Sequence, residues 1–337
     1  MEYYAMYNKK VSTFYRAEQA IQSPVGFSNS PMKPFLLMNK INSMNLSSYF
    51  ELKNEFRPFT NSDFQIAHEK EYIENYFNGI QPLAGSNGLQ WSSEFANSIR
   101  YTNSSLYHAQ KYSLENPGSI CFSPTSGFHH ATPHSGGGFC TFSGQVISAL
   151  KLYEDDSLKK IYGARIVTAW LDLDGHYGNS IRDTYSFAPK LKKAIPDEFN
   201  INPSGYGQDY LLDLSNKLEL LKVAFLENRV HCICFAQGAD SHRDDQLGSQ
   251  CSTEEWIEAH EKIFTFIRDL TEVLKKPIPL TLSLFGGYRD DDYNSVLNLH
   301  LKNLVSCLQI LCGQTVDLKL GEEVGNGRKN KITATLV

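Results

Sequence analysis

The chain has 337 residues, 41% of them hydrophobic, so it can bury a full core and does not have the composition of a disordered protein. Its formal net charge of −5 argues against a nucleic-acid scaffold, which normally presents a basic face, and we expect no direct nucleic-acid partner. Residues 1–4 lack the basic-then-apolar order of a secretory signal, and no apolar run approaches the roughly 20 residues that cross a bilayer, so we expect a cytoplasmic protein without a membrane partner.

The N-terminal residues 1–65 are rich in Asn, Ser and Pro and follow no regular pattern, so we place no helices or strands there. From about residue 95, short β-branched or aromatic runs alternate with longer stretches of helical period. This alternation is typical of parallel βαβ units. The predicted strands are 118–122, 165–173, 230–236 and 279–285.

Three helices are predicted in the second half of the chain. Apolar residues between 211 and 225 step by three and four positions and form one stripe. Ser252 and Glu255 form a capping box that opens the second helix. The third helix covers about residues 293–312 and ends at Gly313, because glycine favours a helix stop.

The chain contains neither an internal repeat nor a linker that would divide it. The fold class predicted from these elements is α/β, a single domain with a central, mostly parallel β-sheet flanked by helices. We assign residues 1–312 to this domain and 313–337 to a polar C-terminal tail. The seven cysteines follow neither zinc-ribbon nor CxxC spacing and are predicted to be reduced core residues.

Reactive polar side chains follow the carboxyl ends of all four predicted strands. In strand order they are His129 and His130; Asp172, Asp174 and His176; Asp240; and Tyr288. In an open parallel sheet, ligands bind beyond the carboxyl ends of the strands. We therefore expect four separate segments to deliver these side chains to one rim of the sheet.

The segment that ends the second strand has the pattern of a metal site. Asp172, Asp174 and His176 lie two residues apart, so on an extended chain they share a face. Asp240 supplies a third ligand, and two Asp with one His leave coordination positions open, as catalytic zinc requires. The plainer interpretation, that Asp172 and Asp174 are strand-end turn residues, is weakened by the presence of Asp240.

Two further segments place aromatic and imidazole groups near this candidate metal site. The adjacent His129 and His130 suggest a proton-transfer pair, because imidazole titrates close to neutral pH. The glycines at 136–138 allow close backbone approach, so that Phe139 walls a narrow apolar channel; a flexible loop with a core Phe is an equally good interpretation. A glycine-freed turn before Tyr288 aims its phenol at the metal.

Taken in order, these motifs resemble the histone deacetylase superfamily, which has the arginase/deacetylase fold and includes acetylpolyamine amidohydrolases and acetoin-utilisation-type proteins. The five motifs are His129-His130-Ala131, Gly138-Phe139-Cys140, Asp172 to Asn179, Gly238 to Gly248, and Gly286-Gly287-Tyr288. Each is weak alone, whereas all five in this order are highly specific. They span about residues 120–290, and residues 63–76 weakly resemble the family's N-terminal part.

The resemblance implies that residues 1–312 are a zinc-dependent catalytic domain that hydrolyses acyl-amide bonds. The implied zinc ligands are Asp174, His176 and Asp240, and the substrate would be N6-acetyl-lysine of a protein, with an acetylpolyamine or another small amide as the alternative. The resemblance also implies that His130 is the general base and acid, with His129 as its electrostatic partner, and that Tyr288 donates a hydrogen bond to the scissile carbonyl. Asp172 would orient His129 and contribute to a structural potassium (K⁺) site, and Asn179 would orient His130. The substrate tunnel would be lined by Phe139, Gly138 and Gly287.

The sequence departs from the family pattern at several positions. Tyr177 stands where the family often has a second His, and the glycine run before the paired histidines is reduced to residues 126–128. Arg289 follows Tyr288 in place of the commoner Asn, and residues 183–206 fit the pattern poorly. The second wall of the tunnel is therefore not identified, and the potassium site is in doubt.

Two other functions remain to be weighed against a deacetylase. A binuclear manganese ureohydrolase needs further carboxylates, but Gly178 and His242 stand where that family has Asp. A catalytically silent protein that binds acylated amines would be expected to lack the base or the phenol, and both His130 and Tyr288 are present.

Overall fold

The structure is a computed structural model that describes residues 6–22, 26, 28–125 and 127–318. Within this part of the chain, seven parallel strands form one sheet in the order β2-β1-β3-β7-β6-β4-β5. The strands are β1 Val11–Phe14, β2 Phe50–Lys53, β3 Ile120–Ser123, β4 Thr168–Asp172, β5 Asn200–Ile201, β6 Cys232–Gln237 and β7 Leu280–Leu284.

The helices of the described residues cover both faces of this sheet. They are α1 Lys33–Ser43, α2 Asn61–Phe64, α3 Lys70–Phe77, α4 Ser93–Glu115, α5 Gly144–Glu154, α6 Asp156–Tyr162, α7 Ser180–Thr184, α8 Leu191–Ala194, α9 Gln208–Leu226, α10 Thr253–Leu274 and α11 Tyr293–Ile310. The predicted fold class, an α/β domain with a parallel central sheet, is confirmed.

The sheet separates two apolar cores, because successive side chains of a strand point to opposite faces. On β4, Leu171 packs into the core formed with α1, α9, α10 and α11, whereas Trp170 packs into the core formed with α3, α4 and α5. On β6, Phe235 and Cys234 divide in the same way. All the residues of β3, β4, β6 and β7 are buried, as expected for inner parallel strands.

The four strands and three helices predicted from sequence are all present. The predicted strand ranges overlap β3, β4, β6 and β7, and the predicted helices correspond to α9, α10 and α11. Ser252 caps α10 with its hydroxyl accepting from the Glu255 amide, and the reciprocal carboxylate bond completes the capping box. Gly313 has φ of +61°, three residues beyond the end of α11.

The N-terminal region is more regular than expected. Residues 6–65 contribute β1, β2, α1 and α2, and β1 pairs with both β2 and β3. These strands have four residues each, and the edge strand β2 is largely exposed, so neither shows the long apolar run of an inner strand. These elements could therefore not be placed from the sequence.

Helix α4 was also missed, although 13 of its 23 residues are buried. Many of its buried residues are small and polar, among them Ser98, Ser104, Ser105 and Ser113. Ser105 donates to the carbonyl of Phe14 at 2.5 Å, which ties α4 to β1. The buried face of α4 includes polar side chains that are hydrogen-bonded to the backbone, as well as hydrophobic ones. The sequence of α4 therefore lacks a clear apolar period.

The predicted tail begins while the chain is still packed on the domain. Val316 and Leu318 are buried in the α9–α11 core, and residues 319–337 lie outside the described residues. The division at residue 312 stays a prediction. All seven cysteines are buried and unpaired. Among the helices of the described residues, none has the length and apolar character that spanning a membrane requires.

Candidate active site

Four neighbouring strands bring the predicted site residues to one edge of the sheet. Strands β3, β7, β6 and β4 are adjacent and parallel, so the segments that follow them leave the same edge. Backbone pairing continues past the strand ends, with Leu173 N donating to Ala236 O at 3.0 Å and Ala239 N to Gly286 O at 2.9 Å. These bonds hold the segments that carry Asp174, Asp240 and Tyr288 in register.

Asp174, His176 and Asp240 form a compact cluster at this edge. His176 Nδ1 lies 3.1 Å from Asp174 Oδ1 and 2.9 Å from Asp240 Oδ2. The candidate ligand atoms of the three residues all lie within 4.8 Å of one another. Both carboxyl groups are buried and the imidazole is half-buried, so the cluster opens to solvent on the side of His176.

Backbone amides hold the carboxylate oxygens that point away from the cluster. Gly286 N donates to Asp174 Oδ2 at 2.8 Å, and Gly175 N donates to Asp240 Oδ1 at 2.9 Å. A Cβ on Gly286 would lie 2.4 Å from Asp240 Cγ. Glycine is therefore required at position 286, because any side chain would displace the carboxylate.

The electrostatics of the cluster fit a divalent cation. Burial and the negative charge of Asp174 raise the pKa of Asp240 to about 8. Hydrogen bonds to Asp174 and Asp240 raise the pKa of His176 to about 11. Two buried carboxylates this close together need a compensating positive charge, and two carboxylate oxygens with one imidazole nitrogen make a donor set suited to zinc. The residues present therefore fit the implied metal.

His129 is paired with a carboxylate. Its Nδ1 lies 2.9 Å from Asp172 Oδ2, and its Nε2 lies 3.6 Å from Asp174 Oδ1. Burial alone would lower the pKa of His129, but the charges of Asp174 and Asp172 outweigh it and raise this pKa to about 9. The geometry therefore favours an imidazolium at position 129.

His130 is paired with a neutral amide. Its Nδ1 lies 2.8 Å from Asn179 Oδ1, and its ring centroid is 4.1 Å from that of His129. Burial, together with the positive charge of His129, lowers the pKa of His130 below its usual 6.5. His130 is therefore the imidazole that stays neutral, and a neutral imidazole can accept a proton.

Tyr288 faces the same opening. Its ring centroid lies 6.3 Å from the ring of His176 and 5.5 Å from the ring of Phe139. Burial and the nearby charges of Asp174 and Asp240 raise the pKa of Tyr288 well above 10. The phenol stays protonated over the physiological pH range and can donate a hydrogen bond.

The rings of Tyr288 and Phe139 lie together beside the half-buried side of the cluster. Phe139 has φ of +62°, and its amide donates to Asn87 O at 2.9 Å. Gly138 precedes it, and a Cβ there would lie 2.5 Å from His130 Cδ2, so the loop packs directly on the general-base candidate. Gly287 packs inward, since a Cβ there would lie 2.5 Å from Val296 Cγ1.

The structure thus brings every predicted site residue to one place, while their chemical roles stay predictions. Both oxygens of Asp172 are hydrogen-bonded within the protein, Oδ2 to His129 and Oδ1 to the Asp174 amide. The implied potassium site is not supported and stays a prediction. Ser126, in the shortened glycine run, lies outside the described residues.

Three residues with contacts to the site were missed in the sequence. Asp245 Oδ2 accepts from the Tyr288 amide at 2.7 Å, and Asp183 Oδ2 accepts from Asn179 Nδ2 at 2.5 Å. Lys33 is fully buried, and its ammonium donates to the carbonyl of Phe285. Burial lowers the pKa of Lys33 to about 8. Asp245 could have been recognised from the sequence, because it lies inside the motif 238–248. Nothing in the sequence marks Asp183 or Lys33 as part of the site.

The chain is similar in sequence to known proteins. The protein-family model of the histone deacetylase domain matches the sequence over residues 29–192, which include the paired histidines and the segment of Asp174 and His176. Histone deacetylase 2 of Arabidopsis thaliana is 26% identical over 201 residues, covering 53% of this chain. That alignment spans 48% of the Arabidopsis protein, so the chain matches about half of its length.

Two solved structures share the fold over most of the chain. The HDA15 HD domain superposes with a TM-score of 0.66 at 16% identity, covering 91% of this chain and 90% of that one. The acetylpolyamine aminohydrolase of Burkholderia pseudomallei superposes with a TM-score of 0.62 at 15% identity, covering 90% and 99%. The chain is thus similar in sequence to the histone deacetylase domain over residues 29–192, and it shares the fold of these two structures over about nine tenths of its length.

Proposed function

We propose that this chain is a metal-dependent amidohydrolase that removes an acyl group from a primary amine, with N6-acetyl-lysine in a protein as its first substrate. The observation that carries the proposal is the cluster of Asp174, His176 and Asp240 with His130 and Tyr288 at its open side. His130 and Tyr288 differ in the way that hydrolysis requires, since the imidazole of His130 is kept neutral and the phenol of Tyr288 is kept protonated.

Asp174, His176 and Asp240 would hold a single zinc ion. Zinc bound there would act as a Lewis acid towards the carbonyl oxygen and lower the pKa of water. Gly178 and His242, where a second ion would need carboxylates, support one ion and not two. A Cβ on Gly178 would lie 2.8 Å from Asp172 Oδ2, and His242 Nε2 is 2.8 Å from Thr253 Oγ1.

The protein groups divide the proton transfers between them. With Nδ1 bound to Asn179, His130 uses Nε2 to accept a proton from the attacking water and to return it to the leaving amine. Tyr288 donates from its phenol to the carbonyl oxygen as negative charge develops there. His129, held charged by Asp172, stabilises negative charge beside the cluster and is not itself the base.

An extended substrate fits the entrance better than a bulky one. The rings of Phe139 and Tyr288 touch each other, with centroids 5.5 Å apart, so an aliphatic chain would lie along this aromatic pair and leave the acyl group at the cluster. The similarity of the fold to an acetylpolyamine aminohydrolase makes an acetylated polyamine the second candidate substrate. We also propose that the protein acts in the cytoplasm.

The test is turnover by zinc-loaded protein on a panel of acetylated and longer-acylated lysine peptides and acetylated polyamines, with and without chelator. We expect release of acetate from a lysine peptide that chelator stops and added zinc restores. Faster turnover of acetylpolyamine would change the substrate but keep the reaction. Binding of acetylated peptide without turnover would indicate a silent binding protein, and two manganese ions per chain would indicate a ureohydrolase-type centre.

A further inference from the structure

Asn179 lies between His130, the candidate general base, and the acidic residue Asp183. Asn179 Oδ1 is 2.8 Å from His130 Nδ1, and Asn179 Nδ2 donates to Asp183 Oδ2 at 2.5 Å. Asn179 and Asp183 are four residues apart on the first turn of α7, where Asp183 N donates to Asn179 O at 3.0 Å. The adjacent Ser180 N donates to His129 O at 2.9 Å, which fixes α7 against the paired histidines.

The two ends of an asparagine amide have nearly the same shape but opposite hydrogen-bonding roles. With Oδ1 towards His130, both bonds of Asn179 are favourable, because Nδ2 then donates to a carboxylate. Rotating the amide by half a turn would place Oδ1 against the Asp183 carboxylate, and two acceptors would face each other. Water could serve either orientation of the amide, so the hydrogen bond from Nδ2 to the Asp183 carboxylate is what distinguishes the two.

The orientation of this amide decides which nitrogen of neutral His130 carries the proton. An acceptor at Oδ1 requires the proton on Nδ1 and leaves a lone pair on Nε2. A donor at that position would favour the proton on Nε2, and such a ring cannot accept another proton there. We propose that Asp183 is a positioning residue that holds the Asn179 amide and so keeps the proton of His130 on Nδ1.

The neighbouring histidine shows why a third residue is needed on this side only. His129 bonds to Asp172, whose two carboxylate oxygens are both acceptors, so no rotation of that group changes its role. Asn179 lacks this symmetry. Replacing Asn179 by Asp should therefore remove the need for Asp183, and this makes the inference testable by a double-mutant cycle.

The kinetic arm of the test rests on the proposed function and compares Asp183→Ala in two backgrounds. With Asn179 present, we expect Asp183→Ala to lower kcat about tenfold, the effect of one lost hydrogen bond, with KM changed by less than about twofold. With Asn179→Asp, the same change should alter kcat by less than about twofold. Equal losses in both backgrounds, or no loss in either, would overturn the inference.

A matched control separates positioning from anchoring of α7. Asp197 is an exposed acid that pairs with Arg182 of the same helix, at 2.6 Å from its Nε. Asp197→Ala should leave kcat within about twofold of the unmodified protein. A loss like that of Asp183→Ala would mean that α7 simply needs its ion pairs, and would count against a specific role for Asp183.

The second arm does not depend on turnover. Full-length, metal-free protein labelled with ¹⁵N-histidine is examined by long-range ¹H–¹⁵N correlation at mildly alkaline pH, with His130 assigned by its absence in His130→Asn. We expect a proton on Nδ1 in the unmodified protein, and a mixture or the Nε2–H form in Asp183→Ala. An unchanged Nδ1–H ring in that variant would refute the inference while leaving the proposed function intact, and absent turnover would leave this arm valid.

Discussion

His129 and His130 are neighbours with rings 4.1 Å apart, yet they are held in opposite ways. His129 is buried against the Asp172 carboxylate, and the charges of Asp174 and Asp172 raise its pKa to about 9 despite burial. His130 is half-buried against the neutral Asn179, and its pKa is lowered by burial and by the charge of His129. One imidazole therefore remains a cation at neutral pH and the other remains a base.

Nearby charges assign the two roles. The charges of Asp174 and Asp172 raise the pKa of His129, whose Nε2 lies 3.6 Å from Asp174 Oδ1, whereas burial and the charge of His129 lower the pKa of His130. What differs is that Asp172 stabilises the imidazolium, whereas Asn179 stabilises a particular neutral tautomer. This division of roles requires that both rings face one reaction centre.

Removing the centre should have the largest effect. Asp240→Ala deletes a buried carboxylate of the cluster, and we expect the protein to lose both bound zinc and detectable turnover. Metal content by elemental analysis and acetate release measure the two losses. Asp244→Ala, an exposed acid in the same motif, should retain both. A zinc-replete, active Asp240→Ala would show that the two histidines do not serve this cluster.

The next effect is expected at the phenol opposite the histidines. Tyr288→Phe removes one donor to the developing oxyanion, a change that typically costs about 2.7–4 kcal/mol, so kcat should fall on the order of a hundredfold while zinc stays bound. Turnover and metal content are compared with Tyr177→Phe, which removes an exposed phenol next to His176. Near-normal activity in Tyr288→Phe would remove the phenol from the mechanism.

A smaller effect is expected at the residue that orients the phenol. Asp245→Ala removes the acceptor of the Tyr288 amide, and we expect kcat to fall about tenfold with KM nearly unchanged, because one hydrogen bond is lost and zinc is retained. Asp245→Asn keeps an acceptor and should recover part of the activity. Asp290→Ala, an exposed neighbour, is the control. A rise in KM with unchanged kcat would indicate a substrate contact, and not a positioning role.

The inner strands and the residues that follow them could be predicted from sequence, whereas the supporting residues could not. Strands such as β4 are short apolar runs, and Asp174 and His176 follow β4 at a spacing that places them on one face. Asp183 and Lys33 act through contacts made only after folding, and neither belongs to a motif that would mark it in the sequence. Helix α4 could not be predicted for the same reason, since its buried serines find their hydrogen-bond partners only in the folded chain.

The smallest predicted change concerns pH and the contrast between the two partners. Activity requires His130 without a proton on Nε2, so kcat/KM should rise with pH through a pKa below 6.5 and then level off. Asn179→Asp puts a carboxylate on His130, as Asp172 does on His129, and a negative partner favours the imidazolium. The pKa should therefore rise, and the acidic limb of the profile should move to higher pH by about one unit. Measuring kcat/KM across pH for Asn179→Asp and the unmodified protein tests this, with Asp197→Ala as the charge control. If the acidic limb of the profile does not move in Asn179→Asp, it reflects the titration of another group. The difference between His130 and His129 would then not come from their hydrogen-bond partners.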